Sequence, residues 1–313
     1  MSRAFVFPGQ GSQSVGMGKA IAEAYAGARA VFEEVDDALG EALSEVIWNG
    51  PDDRLTLTQN AQPALMAVSL ATLRALEEEG VRLEEAAAFV AGHSLGEYSA
   101  LAAAGSLSVA DTARLLRTRG LAMQQAVPVG EGAMAALLGV DMPTTLAIAE
   151  DAAQGDVLNA ANDNAPGQVV VSGTKAAVER AMELAKERGA MKAVSLPVSA
   201  PFHSSLMQPA ADVMAEALSK VDIRAPVVPL VANVSATAVT DPEEIRRLLV
   251  EQVTGTVRWR ESVIYMAGQG VTELVEIGSG KVLSGLAKRI DRSVKGVSLN
   301  APDDLKSFAA SLK

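Results

Sequence analysis

The sequence contains no cysteine. That absence excludes disulfides, cysteine-based zinc sites and thiol catalysis. Histidine is nearly as scarce: His93 and His203 are the only two, so any histidine chemistry uses one of them. Basic charge is in deficit, with 27 lysines and arginines against 38 aspartates and glutamates and a net charge of −11. Nucleic acid is disfavoured as a partner, because phosphate contacts need a basic surface. No stretch approaches the roughly 20 apolar residues of a membrane span. The opening run Ala4-Phe5-Val6-Phe7 turns at Pro8-Gly9, too soon for a signal peptide. A cytoplasmic chain with no membrane role is the expectation. Aromatic residues supply only 4% of the chain, so alanine and valine carry much of the apolar share.

What is present is the material of a large core. Of 313 residues, 49% are hydrophobic and 21% charged, a well-folded globular composition. The length suits one large domain, or a large domain carrying a smaller one. No repeat or low-complexity segment stands out. Short apolar strands at 4–7, 87–91, 227–231 and 271–277 alternate with helical patterns at 17–39, 63–79, 97–104, 109–125, 206–220, 241–252 and onward from Val282. Pro63 suits the first turn of its helix. This alternation indicates an α/β fold with a parallel sheet. Between them lies a compact series: a strand at 133–140, a helix at 143–153, strands at 157–161 and 168–172, a helix at 174–188 capped by Thr174, and a strand at 191–196. The order β-α-β-β-α-β is that of a ferredoxin-like unit. The expected division is a large α/β-hydrolase-like domain of residues 1–128 and 199–313, with an inserted small domain of residues 129–198.

Gly92-His93-Ser94-Leu95-Gly96 matches Gly-x-Ser-x-Gly and falls between an apolar strand and a helix, the setting of a nucleophile elbow. A turn that tight requires neighbours without side chains and presents the serine hydroxyl at the strand's carboxyl end. The N–H of Leu95, opening the helix, points at the same spot and suits an oxyanion. An ordinary glycine-rich turn is the competing reading. A serine nucleophile needs a base. His93 is adjacent, but neighbours on such a turn point apart, which leaves His203, in Pro197-Val198-Ser199-Ala200-Pro201-Phe202-His203-Ser204. On spacing alone Asp156 or Asp163 could complete a triad; neither is compelling, and most such acids read as solvated. Three other readings share these residues: a serine hydrolase such as a thioesterase or lipase, a nucleotide-binding module using Gly9-Gln10-Gly11, and a non-catalytic scaffold. The second is weak, because Ser14 stands where Gly-x-Gly-x-x-Gly needs glycine and no Gly-Lys-Ser/Thr occurs.

Taken together, Phe7-Pro8-Gly9-Gln10-Gly11-Ser12-Gln13, Gly92-His93-Ser94-Leu95-Gly96-Glu97-Tyr98, Ala200-Pro201-Phe202-His203-Ser204 and Glu276-Ile277-Gly278-Ser279-Gly280-Lys281-Val282-Leu283 resemble the malonyl-coenzyme A:acyl carrier protein transacylases of bacterial fatty acid synthesis. The resemblance spans nearly the whole chain. It implies Ser94 as nucleophile, His203 as its partner and the backbone N–H groups of Gln10 and Leu95 as the oxyanion hole. It implies Arg119 as the clasp on the malonyl carboxylate, a carbonyl of Gln252 in place of a triad acid, and Met123 and Asn162 as pocket-lining positions. Phe202 matches the malonyl-preferring form of its motif. The implied reaction is a ping-pong transfer of malonyl from coenzyme A to the phosphopantetheine thiol of acyl carrier protein. Both are substrates, no metal or cofactor is needed, and a monomer is expected. One departure is Ser279, where the family usually has proline; it is expected to alter loop stiffness and not chemistry.

A guanidinium suits that task physically, since it can hold a carboxylate by two parallel charge-assisted hydrogen bonds. Taken singly, an arginine such as Arg246 or Arg247 reads as a surface residue. Carrier proteins are acidic, so a local basic patch is needed on this acidic chain. Candidates are Lys186, Arg188 and Lys192 in the small domain, with Lys281, Lys288 and Arg289 near the C-terminal helix.

Overall fold

The computed structural model describes residues 2–198 and 200–312. Its strands are β1 (Ser2–Phe7), β2 (Phe89–Gly92), β3 (Gly132–Leu138), β4 (Leu158–Ala165), β5 (Gln168–Thr174), β6 (Lys192–Ser195), β7 (Leu230–Val231), β8 (Ala238–Val239), β9 (Val271–Ile277) and β10 (Lys295–Leu299). Six of them form one sheet in the order β10-β9-β1-β2-β7-β8. Every pair is parallel except β7 with β8 at the edge. Uninterrupted apolar runs such as Ala4-Phe5-Val6-Phe7 suit a strand covered on both faces. Phe5, Phe7, Val90 and Val275 enter the main core with the helix Thr58–Glu78, while Ala4, Val6, Ala91 and Leu274 pack on Trp259, Val263 and Leu283 on the other side.

The other four strands form an antiparallel sheet in the order β4-β5-β3-β6. The helices Met142–Ala153 and Lys175–Glu187 cover one face, where Ala135, Leu137 and Val171 meet Ile148 and Val178. Met134 and Val170 face the main core instead. Thr174 caps its helix by accepting the Ala177 N–H, as expected. The expected division after residue 198 falls on Ser199, outside the described residues. Among the described residues no helix is long and apolar enough to cross a membrane.

Several boundaries differ from the sequence reading. The helix expected from Pro63 starts at Thr58, leaving the proline inside it. Burial of Thr58, Asn60, Ala61 and Gln62 outweighs the hydrogen bond that a proline forgoes there. The helical run 17–39 is two helices, Lys19–Ala24 and Ala26–Leu39, broken at Tyr25, whose backbone is extended. β7 keeps only Leu230–Val231 of the run 227–231, and β4 extends to Ala165 through two register shifts. The helix Trp259–Gly268, β10 and the closing helix Pro302–Ser311 were not anticipated.

Candidate active site

β2 delivers the chain to Gly92, and the helix Leu95–Ala103 starts three residues on, with Ser94 at φ 54° and ψ −112° between them. The glycines are required by contact. A Cβ at Gly92 would lie 1.9 Å from the Gly96 carbonyl, and one at Gly96 would lie 2.3 Å from the Phe7 oxygen. Asn233, just past β7, clamps the turn: its Oδ1 accepts the Ser94 N–H at 2.8 Å and its Nδ2 donates to the Gly92 carbonyl at 2.7 Å.

His203 Nε2 lies 2.8 Å from Ser94 Oγ, across 109 residues of sequence. Its Nδ1 faces two carbonyls, Gln252 O at 2.9 Å and Gly255 O at 3.2 Å. Two acceptors fix the hydrogen on Nδ1, so a neutral ring leaves Nε2 bare to accept the serine hydroxyl. Burial, and then the charge of Arg119, pushes the imidazole down to about 3, which keeps it neutral. Among the described residues no acid meets His203 Nδ1. Asp156 pairs with Arg180, and Asp163 is buried and doubly bonded to Arg260, not solvated. His93 points away from the serine, with its Nε2 2.8 Å from Asn164 Oδ1.

Arg119 reaches the same point from the helix Val109–Gln125 and is 1% exposed. Nη2 donates to Ser94 Oγ at 3.1 Å and to Gln252 Oε1 at 2.9 Å, and Nη1 donates to Gln62 Oε1 at 2.8 Å. Its guanidinium carbon lies 5.7 Å from the centre of the Tyr98 ring. Arg246 and Arg247 pair with glutamates at the surface, as expected.

These groups open into a cavity of about 410 Å³ lined by Ser94, His203, Arg119, Gln10, Leu95, Met123, Asn162 and Phe202, together with Gln62, His93, Met134 and the segment Leu196-Pro197-Val198. All the site residues singled out in the sequence line it except Gln252, which lies behind it and touches Ser94, His203 and Arg119. Among the described residues, no protein acceptor takes up the backbone N–H of Gln10 or Leu95. Gln62, Asn233, Glu97 and Gly255 were not foreseen. Gln62 adjoins Pro63, yet no motif marks it; Glu97 lies three residues past Ser94, but its side-chain partners Asn233 and Gln252 are distant in sequence, and Asn233 and Gly255 become neighbours of the site only through the fold. Ser279 Oγ donates to the Ser12 carbonyl at 2.6 Å, tying its loop to the Gly9–Gln13 segment.

The arrangement is a serine in contact with a neutral imidazole and a buried cation, in a cavity that Gln10 and Leu95 also line. Such a site can acylate the serine and hold an anionic group on the acyl chain.

The acyl transferase domain family matches residues 4–299. A malonyl CoA-acyl carrier protein transacylase of Bacillus subtilis is 47% identical over 311 residues, which cover 99% of this chain and 97% of that one. The crystal structure of an acyl-carrier-protein S-malonyltransferase from Bartonella henselae is 57% identical, with a TM-score of 0.97 and coverage of 100% and 99%. A malonyl-transacylase solved in complex with a type II PKS acyl-carrier protein is 41% identical, with a TM-score of 0.96 and coverage of 99% and 100%.

Proposed function

The chain belongs to the acyl transferase domain family, among its malonyl CoA-acyl carrier protein transacylases, and from that premise we propose that it moves malonyl from coenzyme A to the thiol of an acyl carrier protein through a malonyl-Ser94 intermediate. The observation that carries this reading is Arg119, a buried guanidinium 3.1 Å from the hydroxyl that His203 contacts at 2.8 Å. An acetyl or fatty acyl group has no use for a cation there, whereas the free carboxylate of malonyl does.

In the first half-reaction Ser94 Oγ attacks the thioester carbonyl and its proton passes to His203 Nε2. The N–H groups of Gln10 and Leu95 hold the oxyanion. The C–S bond breaks, and coenzyme A leaves as a thiol with the proton from Nε2. In the second half-reaction the phosphopantetheine thiol gives its proton to Nε2, its sulfur attacks the malonyl ester carbonyl, the C–O bond to Ser94 Oγ breaks, and Oγ recovers the proton from Nε2. Coenzyme A and phosphopantetheine are substrates, and neither a metal nor a cofactor enters these steps. Met123, Asn162 and Phe202 shape the space for the acyl group.

We also read residues 129–198 as a ferredoxin-like domain inserted into an α/β-hydrolase-like one, and the protein as a cytoplasmic monomer serving fatty acid synthesis. The β-α-β-β-α-β order and the separate cluster around Val171 and Ile148 support the first part.

Mass spectrometry after brief exposure to malonyl-coenzyme A tests the proposal. A rapid malonyl adduct on Ser94, slow to hydrolyse and discharged by carrier protein, is expected. An adduct lost to water as fast as to carrier protein would instead assign a hydrolase.

A further inference from the structure

Beneath the elbow lies a carboxylate that the serine and histidine do not use. Glu97 is 1% exposed, and its N–H donates to the Ser94 carbonyl at 3.0 Å. Its Oε2 accepts from the Asn233 N–H at 3.0 Å and from Gln252 Nε2 at 2.9 Å. Oε1 has no hydrogen-bond partner among the described residues. A carboxylate in the interior is costly, and burial raises this one to about 7. Both hydrogen bonds that its side chain accepts go to residues that contact Ser94.

Gln252 is where the site's contacts converge. Its backbone carbonyl holds His203, its Oε1 accepts from Arg119, and its Nε2 donates to the Ser94 carbonyl at 2.9 Å. A glutamine amide has one accepting and one donating end, and turning it over exchanges them. Arg119 can only donate, and Glu97 at Oε2 accepts. With Arg119 donating on one side, and Glu97 Oε2, the Ser94 carbonyl and, at 3.2 Å, Asn233 Oδ1 accepting on the other, the amide has one orientation, and Glu97 is the carboxylate among those acceptors.

We propose that Glu97 is a positioning residue for acyl-group choice: its Oε2 fixes the Gln252 amide with Oε1 towards Arg119, and so keeps the guanidinium aimed at the carboxylate of the acyl donor. The inference rests on the malonyl reading above. The role requires an acceptor and not a charge. A protonated Glu97 can carry its hydrogen on the unpartnered Oε1 and leave Oε2 accepting as before.

The test compares Ser94 labelling by malonyl- and acetyl-coenzyme A in the full-length protein. Glu97→Met keeps the length and removes the acceptor. Its malonyl labelling should fall roughly 10- to 100-fold, the scale of leaving one buried polar group unpaired, while acetyl labelling changes little. Glu97→Gln retains an oxygen for Asn233 and Gln252, and should keep the malonyl-to-acetyl ratio within about threefold of wild type, well inside the effect of one lost hydrogen bond. A purely structural role would lower both acyl groups together. An unchanged ratio in Glu97→Met, parallel losses, or a Glu97→Gln ratio as low as that of Glu97→Met would each overturn the proposal. Should Glu97→Met not fold, Glu97→Asp decides. Its shorter side chain cannot serve Asn233 and Gln252 together, so its ratio must fall while that of Glu97→Gln holds; an unchanged ratio in Glu97→Asp refutes the role. Wild-type protein that takes no malonyl sinks the functional reading itself. Malonyl-selective wild type with an unaltered ratio in the variants sinks only the role of Glu97.

Discussion

Replacing Arg119 by alanine separates recognition of the acyl group from chemistry at Ser94. In the free protein the guanidinium has three hydrogen-bond acceptors, Ser94 Oγ, Gln252 Oε1 and Gln62 Oε1, all within 3.1 Å. With malonyl on the serine, a carboxylate joins them at a guanidinium that is itself buried. Truncating one member of a desolvated charge pair costs about 2–5 kcal/mol, which is roughly a 30-fold to several-thousand-fold loss for malonyl, since about 1.4 kcal/mol is tenfold. Acetyl presents no carboxylate, so its transfer should fall little or rise. Unpairing the two glutamine oxygens costs stability in either case, and the ratio of the two rates cancels that shared loss. Arg119→Lys should lose much of the malonyl rate as well, because one ammonium cannot replace a fork that spans Gln62 and Gln252. The assay is the rate of transfer of each acyl group to carrier protein by each variant, with thermal unfolding as a control. Equal losses for malonyl and acetyl would show that Arg119 supports the fold, and the reasoning from its placement would fail.

His203→Ala should nearly abolish malonyl transfer, by orders of magnitude, whereas His93→Ala should act more mildly, through packing of the elbow against Asn164 and Trp259. Because burial and Arg119 hold His203 down to about 3, the base stays neutral as pH falls. Ser94 labelling should therefore show no loss centred on the ordinary imidazole value of about 6.5, and a loss centred there in a rate–pH profile would refute this. For the carrier protein, Lys186 and Arg188 already pair with Glu183 and Asp151, while Lys192, Lys281 and Lys288 are exposed with no acidic partner among the described residues. Charge reversal at Lys192, Lys281 or Lys288 should raise the KM for carrier protein and spare labelling by malonyl-coenzyme A; a half-reaction indifferent to all three reversals and to salt rules this patch out.

What could be read in the sequence was whatever backbone geometry forces on residue type. Gly92 and Gly96 are dictated by contacts that admit no Cβ, so the elbow announces itself. His203 followed from scarcity. The helix Val109–Gln125 and β9 were legible because their apolar spacing is long and regular. The unread parts have other causes. β8 is two residues long, too short for any period. β10 is a half-buried edge strand, Lys-Gly-Val-Ser-Leu, without an apolar run. Asn233 and Glu97 act through hydrogen bonds to residues 19 to 155 positions away, and no local pattern encodes such partners. Asp163 looked like a solvated loop acid because Arg260, which neutralises it, lies on a helix that was itself unread.

The absence of a triad acid has a physical reason in this site. Ser94 and His203 both sit at left-handed backbone angles, φ 54° and 55°, each costing about 1–3 kcal/mol. Such strain persists only where the surroundings over-determine it, and here Asn233, Gln252 and Gly255 supply the contacts. Carbonyls at Gln252 and Gly255 accept the Nδ1 hydrogen and fix the tautomer, as an aspartate would. They do so without a carboxylate hydrogen-bonded to Arg119, which Glu97 reaches only through the Gln252 amide. A carboxylate at that position would compete with the acyl group for the guanidinium, and a buried pair of that kind is hard to break. Orientation by carbonyls therefore leaves the cation available to the substrate's own charge, which is why the missing acid and the buried arginine belong to one design.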